Sequence, residues 1–216
     1  MKKRVLLLAV SCKTGGLCPG GIDLDEPSKW IRIVKDDGRA GAVQGIEIDF
    51  AKPLDIIEFD GRPMPQGKQL ENWVIDNNSC IKTGYCKQDK MKEILDTVYQ
   101  KYSYHGFWGN FKSYLNEEEF ERVTAPSESI MKVSNVRIYQ NEWNKAKIDF
   151  DWEQSQYRMQ RISMTDQDFY DKIKEDDVTY EKAYIVTSIP KEIDDYINPN
   201  TGQKQAYKFV SKIFEI

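Results

Sequence analysis

Trp30 and Arg32 stand two residues apart in the stretch KWIRIV, so on an extended strand they share one face while Ile31 and Ile33 take the other. An indole beside a guanidinium suits one chemistry well: a base stacks on the aromatic plane and a phosphate meets the cation. Lys13, Lys35 and Arg39 extend the cationic set. Residues 1–46 hold 8 Lys and Arg against 5 Asp and Glu, a local +3 in a chain whose formal net charge is −4. That asymmetry directs any nucleic-acid contact to this end of the chain. The competing reading makes Trp30 part of the core and Arg32 a satisfied or solvated cation.

Glu71, Asn72 and Trp73 form a second constellation, a polar pair beside an aromatic at the start of an apolar run. An Asn amide offers a donor and an acceptor to a base edge, although Glu and Asn ahead of a strand also tie turns. The candidate binding set is therefore Lys13, Trp30, Arg32, Lys35, Arg39, Asn72 and Trp73.

The four cysteines, Cys12, Cys18, Cys80 and Cys86, fall in two pairs with five intervening residues each. Structural zinc hooks close on about two to four intervening residues, because a short loop brings both thiolates to one tetrahedron. No metal site is expected from this spacing. Catalysis is poorly supplied as well. His105 is the only histidine, no Ser or Cys sits in a nucleophile setting, and the Gly pairs of residues 13–21 lack the Lys-Ser/Thr ending of a phosphate loop. Asp149, Asp151 and Glu153 share one strand face and could hold Mg2+ as a nuclease does. Their strict alternation with Ile148, Phe150 and Trp152 reads first as the solvated face of a half-buried strand. No cofactor is expected.

These residues need elements to carry them. Residues 3–11 predict an interior strand, 29–34 and 54–59 two more, and 73–75 a short fourth. The Gly- and Pro-dense stretch 13–27 predicts a loop, and Asp60-Gly61 a turn. Residues 88–102 predict a helix, with Met91, Ile94, Leu95, Val98, Tyr99 and Tyr102 on one stripe. Asn116 with Glu119 predicts a capped helix over 116–122, and Thr165 with Asp168 another over 165–175. Strands follow around 136–139, 148–152 and 157–164, the last with a β-bulge near Gln160 where its apolar phase shifts. Residues 183–189 and 207–214 supply the last two. No internal repeat is visible.

At 216 residues, 40% hydrophobic and 31% charged, the chain fits one large soluble domain or two small ones. Its aromatic content of 12% leans toward β structure and stacking surfaces. The basic footprint of a general nucleic-acid binder is missing, so any such site is a local patch. The apolar run from Val5 to Val10 is shorter than a signal-peptide core and suits a buried strand, and nothing reaches membrane-spanning length. The expectation is a cytoplasmic protein with reduced cysteines and no membrane contact. Each half offers four to six short strands and a helix, which favours small antiparallel barrels over a sandwich or βαβ units.

The combination of CxxxxxC-x-GG-x-D over 12–23, KWIR over 29–32, PLDIIEFD over 53–60 and QLENWVID over 69–76 resembles the dual OB-containing domain family of bacterial proteins. RISMTD over 161–166 and the closing AYKFVSKIFEI over 206–216 resemble that family's second barrel. The resemblance implies two OB-like barrels and a nucleic-acid or ligand-binding role, in a phage-defence or genome-conflict setting, with no established activity. The expected architecture is mostly β (α+β): an N-terminal OB-like barrel over 1–86, a helical connector over 87–130 and a C-terminal OB-like barrel over 131–216. The expected function is a non-catalytic accessory that binds nucleic acid, preferably single-stranded. Alternatives are a protein-interaction adaptor that docks a partner through its acidic C-terminal half, and a metal-dependent nuclease using the Asp149 strand.

Overall fold

The apolar run that begins at Val5 becomes the centre of a long strand, β1 (Lys2–Lys13), in which Val5, Leu7 and Leu8 are all fully buried. The computed structural model describes residues 1–13, 16–26, 29–36, 48, 50–76, 79–102, 107–155, 157–195 and 197–216, and divides into two units, Met1–Lys101 and Tyr102–Ile216. After β1, the first unit contains β2 (Gly16–Asp23), β3 (Trp30–Val34), β4 (Asp55–Pro63), β5 (Asn72–Ile75), β6 (Ile81–Tyr85) and a closing helix, α1 (Gln88–Tyr102). The second contains β7 (Tyr114–Asn116), α2 (Glu117–Glu121), β8 (Glu128–Gln140), β9 (Ala146–Trp152), β10 (Arg158–Met164), β11 (Val178–Ser188), β12 (Ile197–Asn198), β13 (Gln203–Tyr207) and β14 (Phe209–Glu215). The chain is mostly β, as expected. The expected connector is divided: α1 lies almost wholly in the first unit, β7 and α2 in the second.

In the first unit the hydrogen-bonded order is β1-β2-β3-β5-β4, and β4 pairs back onto β1. The five strands therefore close on themselves, with β6 added to the other edge of β4. In the second, β8-β9-β10-β14-β11 close in the same way. Numbered within its own unit, each ring runs first, second, third, fifth, fourth, and in each the third and fifth strands are parallel. Five strands wound so form the OB barrel. The repeat that the sequence does not display is thus present in the topology. Val5, Leu7, Ile31, Ile33, Ile57, Phe59 and Ile75 fill the first barrel. Ile148, Phe150, Met159, Ile162, Ile185 and Val210 belong to the core of the second, with Trp152 packed partly against it.

Three expectations need correction. Residues 16–23 form a strand where a loop was expected, because β1 offers a ladder partner from Val5 through Lys13. Gly21 serves close approach there and not a turn: a Cβ on it would lie 2.1 Å from the Leu6 carbonyl oxygen. Asp60-Gly61 does not turn; β4 runs on to Pro63, and β5 crosses so closely that a Cβ on Gly61 would meet the Val74 oxygen at 2.3 Å. The helix expected over 165–175 is two 3-10 turns, Gln167–Phe169 and Lys172–Lys174. Asp166, not Thr165, accepts from the Asp168 N–H, while the Thr165 hydroxyl donates to the Val210 carbonyl. The Asn116 capping box holds: its Oδ1 accepts from the Glu119 N–H at 2.8 Å and Glu119 Oε2 accepts in return at 2.9 Å. The bulge near Gln160 is also present, as a register shift between Met159 and Ile162 with Arg161 at φ 57°. No described helix is long and apolar enough to cross a membrane.

Candidate functional site

On the first barrel, β3 and β5 pair in parallel, with Arg32 opposite Asn72 and Ile33 opposite Trp73. The fold thus brings together three of the candidate residues, and Trp30 lies on the same strand as Arg32. What they offer differs from the expectation. Trp30 is only 4% exposed, so its ring presents no face to a base. The Arg32 side chain is 11% exposed, with Nε 3.9 Å from Glu71 Oε1. Trp73 is half-buried, and Lys3 Nζ stands 4.7 Å over its ring while pairing with Asp23 at 2.7 Å. Asn72 is wholly buried, and neither end of its amide has a hydrogen-bond partner. Lys35 is half-buried at the end of β3. Lys13 lies on β1 with its side chain outside the described set, and Arg39 and His105 lie outside the described residues altogether.

The second barrel carries exposed aromatics and cations about its second and third strands. Its second and third strands, β9 and β10, pair antiparallel with Asp151 opposite Arg158 and Ile148 opposite Ile162. Inward alternation of Ile148 and Phe150 leaves Lys147, Asp149 and Asp151 on the outer face. At one end of this strand pair, the turn joining β8 to β9 holds up Trp143, which is 66% exposed. That turn is built by Asn141, whose Oδ1 accepts from the N–H groups of both Trp143 and Lys145. At the other end, Phe111 and Tyr157 stack with centroids 4.2 Å apart and planes 22° from parallel, and the Trp152 ring lies 5.9 Å from Phe111. Tyr157 is 58% exposed. Between the aromatics stand Arg137, Arg158 and Arg161, each in a carboxylate pair: Asp177 at 2.7 Å, Asp151 at 2.9 Å and Glu142 at 3.0 Å. Arg137 also lies 4.9 Å over the Tyr139 ring. Lys147 is half-buried and donates to the Ser163 hydroxyl. Its pKa is lowered, first by burial and then by the Arg161 charge.

The three carboxylates considered for Mg2+ are each held by a separate partner. Asp149 Oδ1 accepts from the Tyr139 hydroxyl and the Arg161 N–H, Asp151 pairs with Arg158 and accepts from Asn135, and Glu153 faces Lys132 at 3.6 Å. The Asn135 and Arg158 hydrogen bonds hold the Asp151 carboxyl below its usual range. Among the described residues no three His, Cys, Asp or Glu side chains converge as a metal site. Cys80 and Cys86 are free thiols, and the Cys12 side chain lies outside the described set. Burial pushes the Cys80 thiol up to about 11, and burial with the Asp89 charge raises Cys86.

Phe111 follows an unusual turn. Phe107, Trp108 and Gly109 take φ of 55°, 53° and 84°, three successive residues in the left-handed region. For the two aromatics that conformation costs roughly 1–2 kcal/mol each. Phe107 is fully buried edge-on to Phe150 at 6.1 Å, and the Trp108 indole N–H donates to the Pro126 carbonyl. Lys208, also fully buried, donates to the Phe107 carbonyl at 2.6 Å, the Asn110 carbonyl at 3.0 Å and Asn110 Oδ1 at 2.6 Å. Burial pushes its pKa down to about 6 against the pull of Glu119, although three acceptors ask for the three N–H donors that only the ammonium has.

Sequence reasoning missed Trp143, Tyr157, Phe111 and Lys208. Trp143 had a signal, since it sits among Asn141, Glu142, Asn144 and Lys145 with no apolar neighbour to bury it. The Phe111–Tyr157 stack spans 46 positions and leaves no local pattern. A family model described as dual OB-containing domain matches residues 3–213. No curated protein and no solved structure matches the chain.

Proposed function

This chain belongs to the dual OB-containing domain family, and on that premise we propose that it is a non-catalytic accessory protein that binds single-stranded nucleic acid across the β9–β10 face of its second barrel. One observation carries the proposal: exposed aromatics flank, at both ends, the second and third strands of an OB ring, the strand pair such barrels use for oligonucleotides. Trp143 at one end and the Phe111–Tyr157 stack at the other would each take a base, at about 1–3 kcal/mol per stacked base. Arg137, Arg158 and Arg161 would meet the phosphates between them. Each now holds a partly exposed carboxylate, and a solvent-screened pair is worth about 0–1 kcal/mol, so exchanging carboxylate for phosphate costs little. A net charge of −4 supplies no broad attractive field, so binding rests on this patch. A role in bacterial phage defence or genome conflict, in the cytoplasm, belongs to the same proposal and rests on the family alone.

The test is anisotropy of a fluorescein-labelled 15-nucleotide oligo(dT) or oligo(U) titrated with the full chain at low salt. Binding is expected, weakening as salt rises, and Trp143→Ala should weaken it with the melting temperature unchanged. A folded wild type that retains neither oligonucleotide at low salt overturns the proposal.

A second reading, the adaptor, is favoured by a different surface. A groove of about 530 Å³ lies between α2 and the β12–β13 hairpin, lined by Asn116, Glu117, Glu118, Glu121, Ile197 and Lys204 among others. Ile197 is 56% exposed beside these carboxylates, which suits a basic segment carrying one apolar residue. Binding of a partner with Glu117→Lys sensitivity, in a chain that ignores oligonucleotides, would favour it.

A further inference from the structure

The left-handed turn Phe107-Trp108-Gly109 is fixed from three sides. Phe107 is set into the core against Phe150, Trp108 is tied to the Pro126 carbonyl, and Lys208 reaches across to the Phe107 carbonyl and both oxygens of Asn110. Lys208 is itself anchored at the start of β14, where its backbone N–H donates to the Ser113 carbonyl. Asn110 extends the tie: its amide donates to the Tyr114 carbonyl and its Oδ1 accepts from the Lys112 N–H. The one residue inside this frame that turns outward with a large apolar ring is Phe111, which is 40% exposed and stacked on Tyr157.

We infer that Lys208 and the left-handed turn it secures form a positioning device that sets Phe111 against Tyr157 and so builds a rigid stacking platform for a base. The inference rests on the single-strand reading for what the platform binds, but the geometry of the device stands apart from that reading. Lys208 touches no ligand; it acts through the Phe107 and Asn110 oxygens. The buried amine gathers the Phe107 carbonyl at the head of the turn and the two Asn110 oxygens just past its end, giving these acceptors a donor. Without that donor only the Phe107 packing and the Trp108 hydrogen bond oppose the cost of two aromatic residues at positive φ, and Phe111 would be held less firmly against Tyr157. A platform held in place before binding spares the ligand the entropy of ordering it. The groups that face Lys208 and bear on its charge are Glu119, which favours the ammonium, and Lys112, which opposes it.

Gly109 and Gly202 make the decisive pair of variants. Both have positive φ, 84° and 67°, and a Cβ added at either meets nothing within 4 Å. Each Gly→Ala change therefore imposes the same kind of backbone penalty without a clash, one inside the device and one in the β12–β13 turn. The measurements are ring-to-ring nuclear Overhauser contacts between Phe111 and Tyr157 in the full chain, and its affinity for the labelled 15-nucleotide oligo(dT). Gly109→Ala should lose the ring contacts and weaken binding by about tenfold, as Phe111→Ala should, while Gly202→Ala should keep both. Asn110→Ala, which removes one of the three acceptors, should fall between them and serves if Gly109→Ala does not fold. Ring contacts in Gly109→Ala and Asn110→Ala as strong as in Gly202→Ala would overturn the inference. If the wild type ignores oligo(dT), the single-strand reading fails, and the ring contacts still decide whether the device exists.

Discussion

The backbone N–H of Arg161 donates to Asp149 Oδ1 at 2.8 Å across the β9–β10 pair, at the point where β10 slips register. A bulge leaves one residue's backbone without a ladder partner. Here a side chain on the neighbouring strand supplies it, and the Tyr139 hydroxyl shares the same oxygen. Burial, and after it the Asp149 charge and hydrogen bond, raises the Tyr139 pKa. The carboxylate that sequence offers as a metal ligand is thus a fixture of the bulge. Asp149→Ala should destabilise the chain by about 1–3 kcal/mol, the cost of orphaning two donors. The wild type with Mg2+ should leave DNA and RNA uncut. Cleavage that disappears in Asp149→Asn would revive the nuclease alternative.

Trp30 is the residue on which sequence and structure part most sharply in consequence. At 4% exposure it should act through stability. Trp30→Ala is expected to cost about 3–5 kcal/mol, the range for removing a buried large aromatic. Chemical denaturation measures it directly. A variant that melts like the wild type would mean the ring is accessible, and would return the first barrel to candidacy as a stacking surface.

Alternation at Ile148, Phe150 and Trp152 was legible because a strand packed on one side must alternate, whatever its partners. The α1 stripe and the Asn116 box were legible for the same reason: their causes lie within a few residues. Even the bulge near Gln160 announced itself as a phase change. The strand β2 did not, because its Gly21 is there for Leu6 and Leu7 on another strand, and local statistics read glycine as a turn. The burial of Trp30 was hidden too, because it depends on what covers a strand's outer face, which no spacing within the strand records. Lys208 could not be found at all: its partners lie about a hundred residues away, and a lysine in a strand normally reads as solvent-facing.

The thiols offer a prediction in pH. Burial pushes Cys80 up to about 11 from an ordinary 9.0. At pH 8 its thiolate fraction should therefore be about 100-fold below that of a free thiol, and iodoacetamide should modify it correspondingly slowly. The linkage has a definite sign. Between 9.0 and about 11 the folded chain keeps a proton that the unfolded chain has lost, so this group makes stability fall as pH rises through that window. Mass-resolved alkylation of the folded chain checks the rate. Labelling of Cys80 as fast as in urea would show that the thiol is not shielded.

Lys208 sets two large effects against each other. Replacing it with methionine keeps the volume and removes a buried amine whose loss of hydration opposes folding, which alone can be neutral or stabilising. The same change leaves the Phe107 and Asn110 carbonyls without this donor, at about 1–3 kcal/mol for each, while Asn110 Oδ1 keeps its bond from the Lys112 N–H. Two carbonyls left without their donor outweigh the relieved burial, so Lys208→Met should lose roughly 2–5 kcal/mol. Its pH dependence separates the two effects. With the folded pKa down at about 6 and the ordinary value at 10.5, the unfolded chain binds a proton that the folded chain does not across that window. Wild-type stability should therefore rise with pH there, by up to about 1.4 kcal/mol per pH unit from this group. Methionine has no such proton, so the gap between wild type and variant should widen from pH 6.5 to pH 8.5, a range below the Cys80 window. Urea midpoints at those two pH values decide it. A gap that stays constant would mean that Lys208 keeps its ammonium in the fold, with the three oxygens outweighing burial.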